Sequence, residues 1–242
     1  MHDMHCHLAF MENGEEVAAE ARAADMLLFA NTVTMREYES ARERFAAFDN
    51  VRVGLGTHPW WVDDSFNVDR FERLAARERF IGEIGLDLGR RHEDNRQAQI
   101  DAFTLAAHIC ARQGNKVISL HAVHASAEVL DILESAAALQ TCTCVFHWFT
   151  GPSDVLKRAI SAGCFFSVGP RMLATGKGRE YVKAIPAKQL LLETDAPPQQ
   201  GQRYPYAELR AELEETAGTI AAIKGDAALE IIERNARMLL TE

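Results

Sequence analysis

Residues 79–87 read RFIGEIGLD, and the chain soon continues with NRQAQIDAFTLAAHICARQG at 95–114. The first run is almost continuously apolar and reads as a strand; the second repeats its apolar residues at helical spacing. Working outward, the same succession recurs. MLLFANTV (26–33) precedes MREYESARERFAAF (35–48), and VRVGLGTH (51–58) precedes VDRFERLAARE (68–78). KVISLHA (116–122), TCTCVFHWF (141–149), CFFSVGP (164–170) and QLLLETDAP (189–197) each have a helical pattern behind them. With the opening MHDMHCHL (1–8), the count is eight strand-then-helix units. Apolar strands alternating with amphipathic helices predict a parallel sheet covered by helices. Eight such units in this length predict the α/β class and a closed (β/α)8 TIM barrel, with an open doubly wound sheet as the runner-up.

The length of 242 residues suits one such barrel, and 48% hydrophobic with 25% charged residues is a globular composition. No Pro/Gly/Ser-rich linker or close repeat divides the chain, so residues 1–242 are expected to form one domain. The closing DAALEIIERNARMLLTE predicts a final amphipathic helix. No run of 18 apolar residues and no basic-then-apolar leader is present, which predicts a cytoplasmic protein with no membrane association. The five cysteines are odd in number and lie mostly in apolar runs, as buried thiols do; Cys142 and Cys144 read as core residues. A net charge of −9 opposes coating of long nucleic acid, although bound metal ions can make a pocket locally positive.

In a barrel the C-terminal strand ends build the active site. There the sequence places His5 and His7 on strand one, His58 on strand three, Glu83 and Asp87 on strand four, His121 on five, His147 on six and Asp195 on eight. One histidine at a strand end is ordinarily a hydrogen-bonded rim residue; the joint pattern points to a shared purpose. Residues i and i+2 of a strand face one side, so HxH directs two imidazoles at one ion. Asp3 falls on that face, positioned to orient the ligands, while Cys6 points away into packing. Imidazole with carboxylate suits a borderline divalent ion. Four histidines and two carboxylates exceed what one catalytic zinc needs, and two ions sharing a carboxylate fit the count better.

DMHCH at 3–7, GTHP at 56–59, IGEIGLD at 81–87, SLH at 119–121, FHWFTG at 146–151 and LLETDAP at 191–197 run in order along the chain. Together they resemble the TatD-like metal-dependent hydrolases of the amidohydrolase superfamily, and the match extends to the closing NARMLL. The resemblance implies two divalent ions, zinc, manganese or magnesium. His5, His7 and Asp195 would hold one ion and His121 and His147 the other, with Glu83 bridging. His58 would face the substrate without ligating, and His2 reads as a solvated neighbour.

The chain departs from the family pattern in three places that would meet substrate. Val123 stands where HxR would place an arginine; Leu88, Gly89, Arg90 and Arg91 replace an aromatic after GLD; and PQQGQRYPY follows ETDAP. Arg90 and Arg91 are candidate phosphodiester contacts. The implied activity is metal-assisted hydrolysis with Asp195 as proton acceptor and Glu83 in the catalytic set, acting as a 3′ deoxyribonuclease on DNA or a small phosphoester. No obligate protein partner is evident. The alternatives are hydrolysis of an amide, lactone or cyclic imide, and a partner-binding barrel with little turnover, which the intact ligand set opposes. Trp60 and Trp61 suit base stacking or packing equally, and Asp87 and Glu193 read as braces.

Overall fold

The computed structural model describes residues 1–63 and 65–241. Eight strands form one parallel sheet in chain order. They are β1 (Asp3–Cys6), β2 (Leu28–Asn31), β3 (Val51–Thr57), β4 (Phe80–Asp87), β5 (Val117–Val123), β6 (Thr143–His147), β7 (Phe165–Val168) and β8 (Leu190–Leu192). Helices follow the strands throughout, and the fold class is the expected (β/α)8 barrel. Among the described residues, no helix is long and apolar enough to cross a membrane.

The chain clusters into two compact units. The first comprises Met1–Asn31, Glu39–Val53 and Phe166–Glu242. In it β1 pairs with β2 through Asp3 opposite Leu28 and Cys6 opposite Ala30, and β7 pairs with β8 through Phe166 opposite Leu190. The segment after β8 rejoins β1: the Asp195 N–H donates to the His5 carbonyl at 2.8 Å, and the His7 N–H to the Ala196 carbonyl at 2.7 Å. The final helix, Ala227–Thr241, is the one expected from the closing segment, whose Glu242 lies outside the described residues. Its Asn235 amide donates to the carbonyls of Ala187 and Leu190, both at 3.0 Å, which pins the helix to the start of β8.

The second unit comprises Thr32–Tyr38 and Gly54–Phe165. Here β4 runs beside β5 with Gly85 opposite His121 and Asp87 opposite Val123, and β5 runs beside β6 with Leu120 opposite Phe146. All eight residues of β4 are buried, as a strand covered on both faces requires. Gly85 adopts φ +141°, and a Cβ there would lie 2.0 Å from the His121 carbonyl oxygen, so only glycine fits between Glu83 and Asp87. The helix Val68–Ala75 starts where the Asn67 side chain accepts the Arg70 N–H at 2.9 Å.

Strand ends differ from the sequence expectation in detail. Glu83 and His121 lie within β4 and β5 rather than at their ends, and Asp195 lies three residues beyond β8. Four cysteines are buried and Cys142 is partly exposed; no disulfide is present among the described residues.

Candidate active site

In the first unit, β1 and the segment after β8 bring His5, His7 and Asp195 together. Asp195 Oδ1 lies 3.7 Å from His5 Nε2 and 3.4 Å from His7 Nε2. Asp195 adopts φ +58°, a left-handed conformation that aspartate and asparagine tolerate better than most residues. Its other oxygen, Oδ2, forms an ion pair with Arg171, from the turn after β7. Sequence reasoning missed Arg171, because nothing in GPRML distinguishes it from a surface arginine.

The ring of His7 is fixed by the Asn31 carbonyl, 3.2 Å from its Nδ1. A carbonyl only accepts, so Nδ1 carries the hydrogen and Nε2 of the neutral ring presents a lone pair. In the neutral form, Nε2 and Asp195 Oδ1 are two acceptors 3.4 Å apart. A charge-assisted N–H···O bond would be about 2.7–2.9 Å. Two ligands held tetrahedrally about 2.1 Å from one ion lie about 3.4 Å apart, the separation found here. A ligand imidazole that donates its other N–H to a backbone carbonyl is also the usual arrangement around a metal. The donor set therefore fits a divalent cation.

Asp3 is buried, and its bonds to His5 and Thr194 reach backbone and hydroxyl groups rather than the His5 and His7 rings. It accepts the Thr194 hydroxyl at 2.7 Å and the backbone N–H groups of His5 and Thr194 at 3.1 and 3.2 Å. Burial pushes its carboxyl up to about 7 against those bonds. It thus ties together the two segments that carry His5 and Asp195. Glu193 accepts the Ser167 hydroxyl and braces β7 against β8, as expected. His2, read above as solvated, is instead buried: its Nδ1 accepts the Leu27 N–H at 3.0 Å, and its Nε2 lies 3.1 Å from Glu233 on the final helix. A long-range carboxylate, invisible to local pattern, draws it inward.

In the second unit, Glu83 gathers three imidazoles. His121 Nδ1 lies 2.5 Å from Oε1, His147 Nε2 lies 3.2 Å from Oε1, and His58 Nε2 lies 3.6 Å from Oε2. All four residues are buried. Burial disfavours the charged form of His121, yet Glu83 and Asp87 outweigh it and raise the ring above its ordinary 6.5. Ligand atoms of His58, Glu83 and His121 all fall within 4.8 Å of one another. The tautomer of His58 separates it from the others. Its Nδ1 accepts the Trp60 N–H at 3.1 Å, so the neutral ring carries its hydrogen on Nε2 and offers a donor, not a lone pair, on the Glu83 side.

Asp87 accepts the Trp60 indole N–H at 2.7 Å and the Gly89 N–H at 3.0 Å, with His121 Nε2 3.6 Å away. Burial opposes ionisation of Asp87, but the nearby His121 ring and the bonds from Trp60 and Gly89 win and hold its carboxyl well below the usual carboxylate range. Asp87 is thus a brace, and Trp60 is tied to it while stacking on His92 with ring centroids 5.2 Å apart. Trp60 and Trp61 remain 50% and 48% exposed, flanking His58. Arg90 and Arg91 lie exposed in the short turn Arg90–His92, and neither is bonded to the Glu83 cluster among the described residues.

The model of a family described as TatD related DNase matches residues 2–241 of the chain. A human protein named deoxyribonuclease TATDN3 is 28% identical over 260 residues, spanning 96% of this chain and 90% of that protein. A Dickeya dadantii protein named 3′-5′ ssDNA/RNA exonuclease TatD is 33% identical over 200 residues, spanning 78% of this chain and 74% of that one. Among solved structures, the TatD homologue YJJV of Escherichia coli K12 aligns with a TM-score of 0.78 at 21% identity, covering 99% of this chain and 97% of that chain, a likeness of fold.

Proposed function

Since this chain belongs to the TatD related DNase family, we propose that it is a two-metal phosphodiesterase that removes nucleotides from the 3′ end of single-stranded DNA. The observation that carries this reading is the His7 geometry: a ring locked by the Asn31 carbonyl faces the Asp195 carboxylate at 3.4 Å, acceptor to acceptor. One ion would rest on His5, His7 and Asp195, and a second on Glu83, His121 and His147. Divalent ions held there supply Lewis acidity and lower the pKa of water.

The chain's own groups perform the remaining steps. The oxygen of a water bonds to phosphorus as the bond from phosphorus to the 3′ oxygen breaks. Asp195 takes one proton of that water and passes it to the departing 3′ oxygen, leaving a nucleoside 5′-phosphate and a strand one residue shorter. His58 directs its Nε2 hydrogen toward developing charge on the phosphoryl oxygens. Arg90 and Arg91 offer exposed positive charge to the strand backbone. The net charge of −9 favours short single strands over long duplex.

Gel analysis of 5′-labelled single-stranded DNA with manganese or magnesium tests this. A descending ladder from the wild type, absent from Asp195→Asn, is the expected result. Intact DNA with both metals overturns it.

A further inference from the structure

We propose that Arg171 grips the phosphoryl group of the substrate and is stored on Asp195 until that group arrives. This inference rests on the phosphodiesterase reading above. The two oxygens of Asp195 face different neighbours: Oδ1 lies toward His5 and His7, while Oδ2 is held by the Arg171 guanidinium.

Arg171 and Asp195 together line a cleft of about 90 Å³ whose other walls include Thr194, Pro198, Tyr204 and Glu212. Among the described residues, Arg171 is the one cation in that lining. Glu212 is already engaged by the Tyr204 hydroxyl, so it does not compete for the guanidinium in this arrangement. The side chain of Arg171 is 43% exposed. An ion pair this open to solvent holds weakly, and a phosphate entering the cleft can take the guanidinium from it. A guanidinium also matches phosphate oxygens bidentately, which an ammonium does not.

The backbone before Arg171 is closely packed. A Cβ on Gly169 would lie 3.0 Å from the Glu193 carbonyl oxygen and 3.1 Å from its Cγ, so this turn packs tightly on the segment leading to Asp195. Movement of Arg171 is therefore a side-chain rotation. When it turns to phosphate, the guanidinium leaves Oδ2 of Asp195 for the phosphoryl oxygens. A neutral ester lacks the charge that draws Arg171 away, so Arg171 favours binding of phosphoesters over carboxylic esters.

The test is calorimetric titration of thymidine 5′-monophosphate into the full-length chain in chelator, for wild type, Asp195→Asn, Arg171→Ala, Arg171→Lys and the Asp195→Asn/Arg171→Ala double variant. Asparagine cannot hold the guanidinium by charge, so Asp195→Asn is expected to bind the nucleotide about tenfold or more tightly than wild type. The double variant is expected to lose that gain, and Arg171→Lys to keep part of the binding that Arg171→Ala loses. No gain in Asp195→Asn, or a gain that persists in the double variant, overturns the proposal, since mere removal of a carboxylate would then explain it. The two readings fail separately. Arg171-dependent nucleotide binding in a protein that cleaves no phosphodiester sinks the proposed function and leaves this inference standing; cleavage with Arg171-independent binding does the reverse.

Discussion

Replacing Asp195 separates the chemistry of the site from its folding. The residue sits at φ +58°, where asparagine is comfortable and alanine costs about 1–2 kcal/mol. Its ion pair with Arg171 joins groups 15% and 43% exposed, so solvent screening limits its worth to about 1 kcal/mol or less. Asp195→Asn should therefore stay within about 1 kcal/mol of wild type, and at this chain length that is a melting shift of about 2–4 °C. Asp195→Ala should lose the backbone tolerance as well and melt several degrees lower than the asparagine variant. Turnover behaves differently. Loss of a proton acceptor alone costs about 10²- to 10⁴-fold, and the same carboxylate faces both His5 and His7. Thermal melts read beside cleavage of 5′-labelled single-stranded DNA check both halves. An Asp195→Asn protein that cuts within tenfold of wild type refutes the assignment of Asp195 as proton acceptor. One that melts far below the alanine variant refutes the backbone argument.

Three further outcomes follow from the geometry. Glu83 and Asp87 raise the His121 ring above 6.5, so a metal bound there under the proposed function would displace its proton; affinity for zinc or manganese should fall as pH drops through the raised value, with proton release visible in calorimetry across buffers of different ionisation enthalpy. The His2 ring holds Glu233 down at about 2, so its stabilisation is present above the unfolded value of 4.5 and disappears as pH falls toward 2; discounted for exposure, Glu233→Gln should lower stability by about 1 kcal/mol at neutral pH, and melts down to pH 3 should show the gap closing. Gly85→Ala drives a Cβ to 2.0 Å from the His121 carbonyl at a backbone angle alanine avoids, so we expect a loss of about 3 kcal/mol or more and a melting drop above about 6 °C; a variant as stable as wild type would mean that β4 and β5 can separate at no cost.

Strand runs such as RFIGEIGLD and VRVGLGTH were legible because strands covered on both faces are continuously apolar, and all eight residues of β4 are indeed buried. The polar residues interrupting those runs, His5, Glu83, His121 and His147, stood out against that background. What stayed hidden depends on partners far along the chain. His2 looked solvated because its partner Glu233 lies on the last helix, and local patterning carries no trace of such a pairing. Arg171 resembles any exposed arginine until the turn after β7 brings it to Asp195. Trp60 was ambiguous between stacking and packing because its bond to Asp87 joins residues 27 positions apart.

The least legible determinants are backbone groups, and they separate two otherwise similar histidines. His7 and His58 each follow a strand, are buried, and face a carboxylate at 3.4 and 3.6 Å. The HxH spacing marks His7 as a ligand candidate, but nothing in the sequence fixes the tautomer of either ring. The Nδ1 of His7 meets a carbonyl, which forces its hydrogen there and leaves Nε2 as a lone pair for a cation. The Nδ1 of His58 meets the N–H of Trp60, which forces the opposite tautomer and leaves Nε2 as a donor for an anion. Pro59 starts the short turn that returns the Trp60 N–H to the ring, and the end of β2 presents the Asn31 carbonyl to His7. Under the proposed function, the division of labour between metal-facing and substrate-facing imidazoles would follow from which backbone group each strand's neighbour exposes.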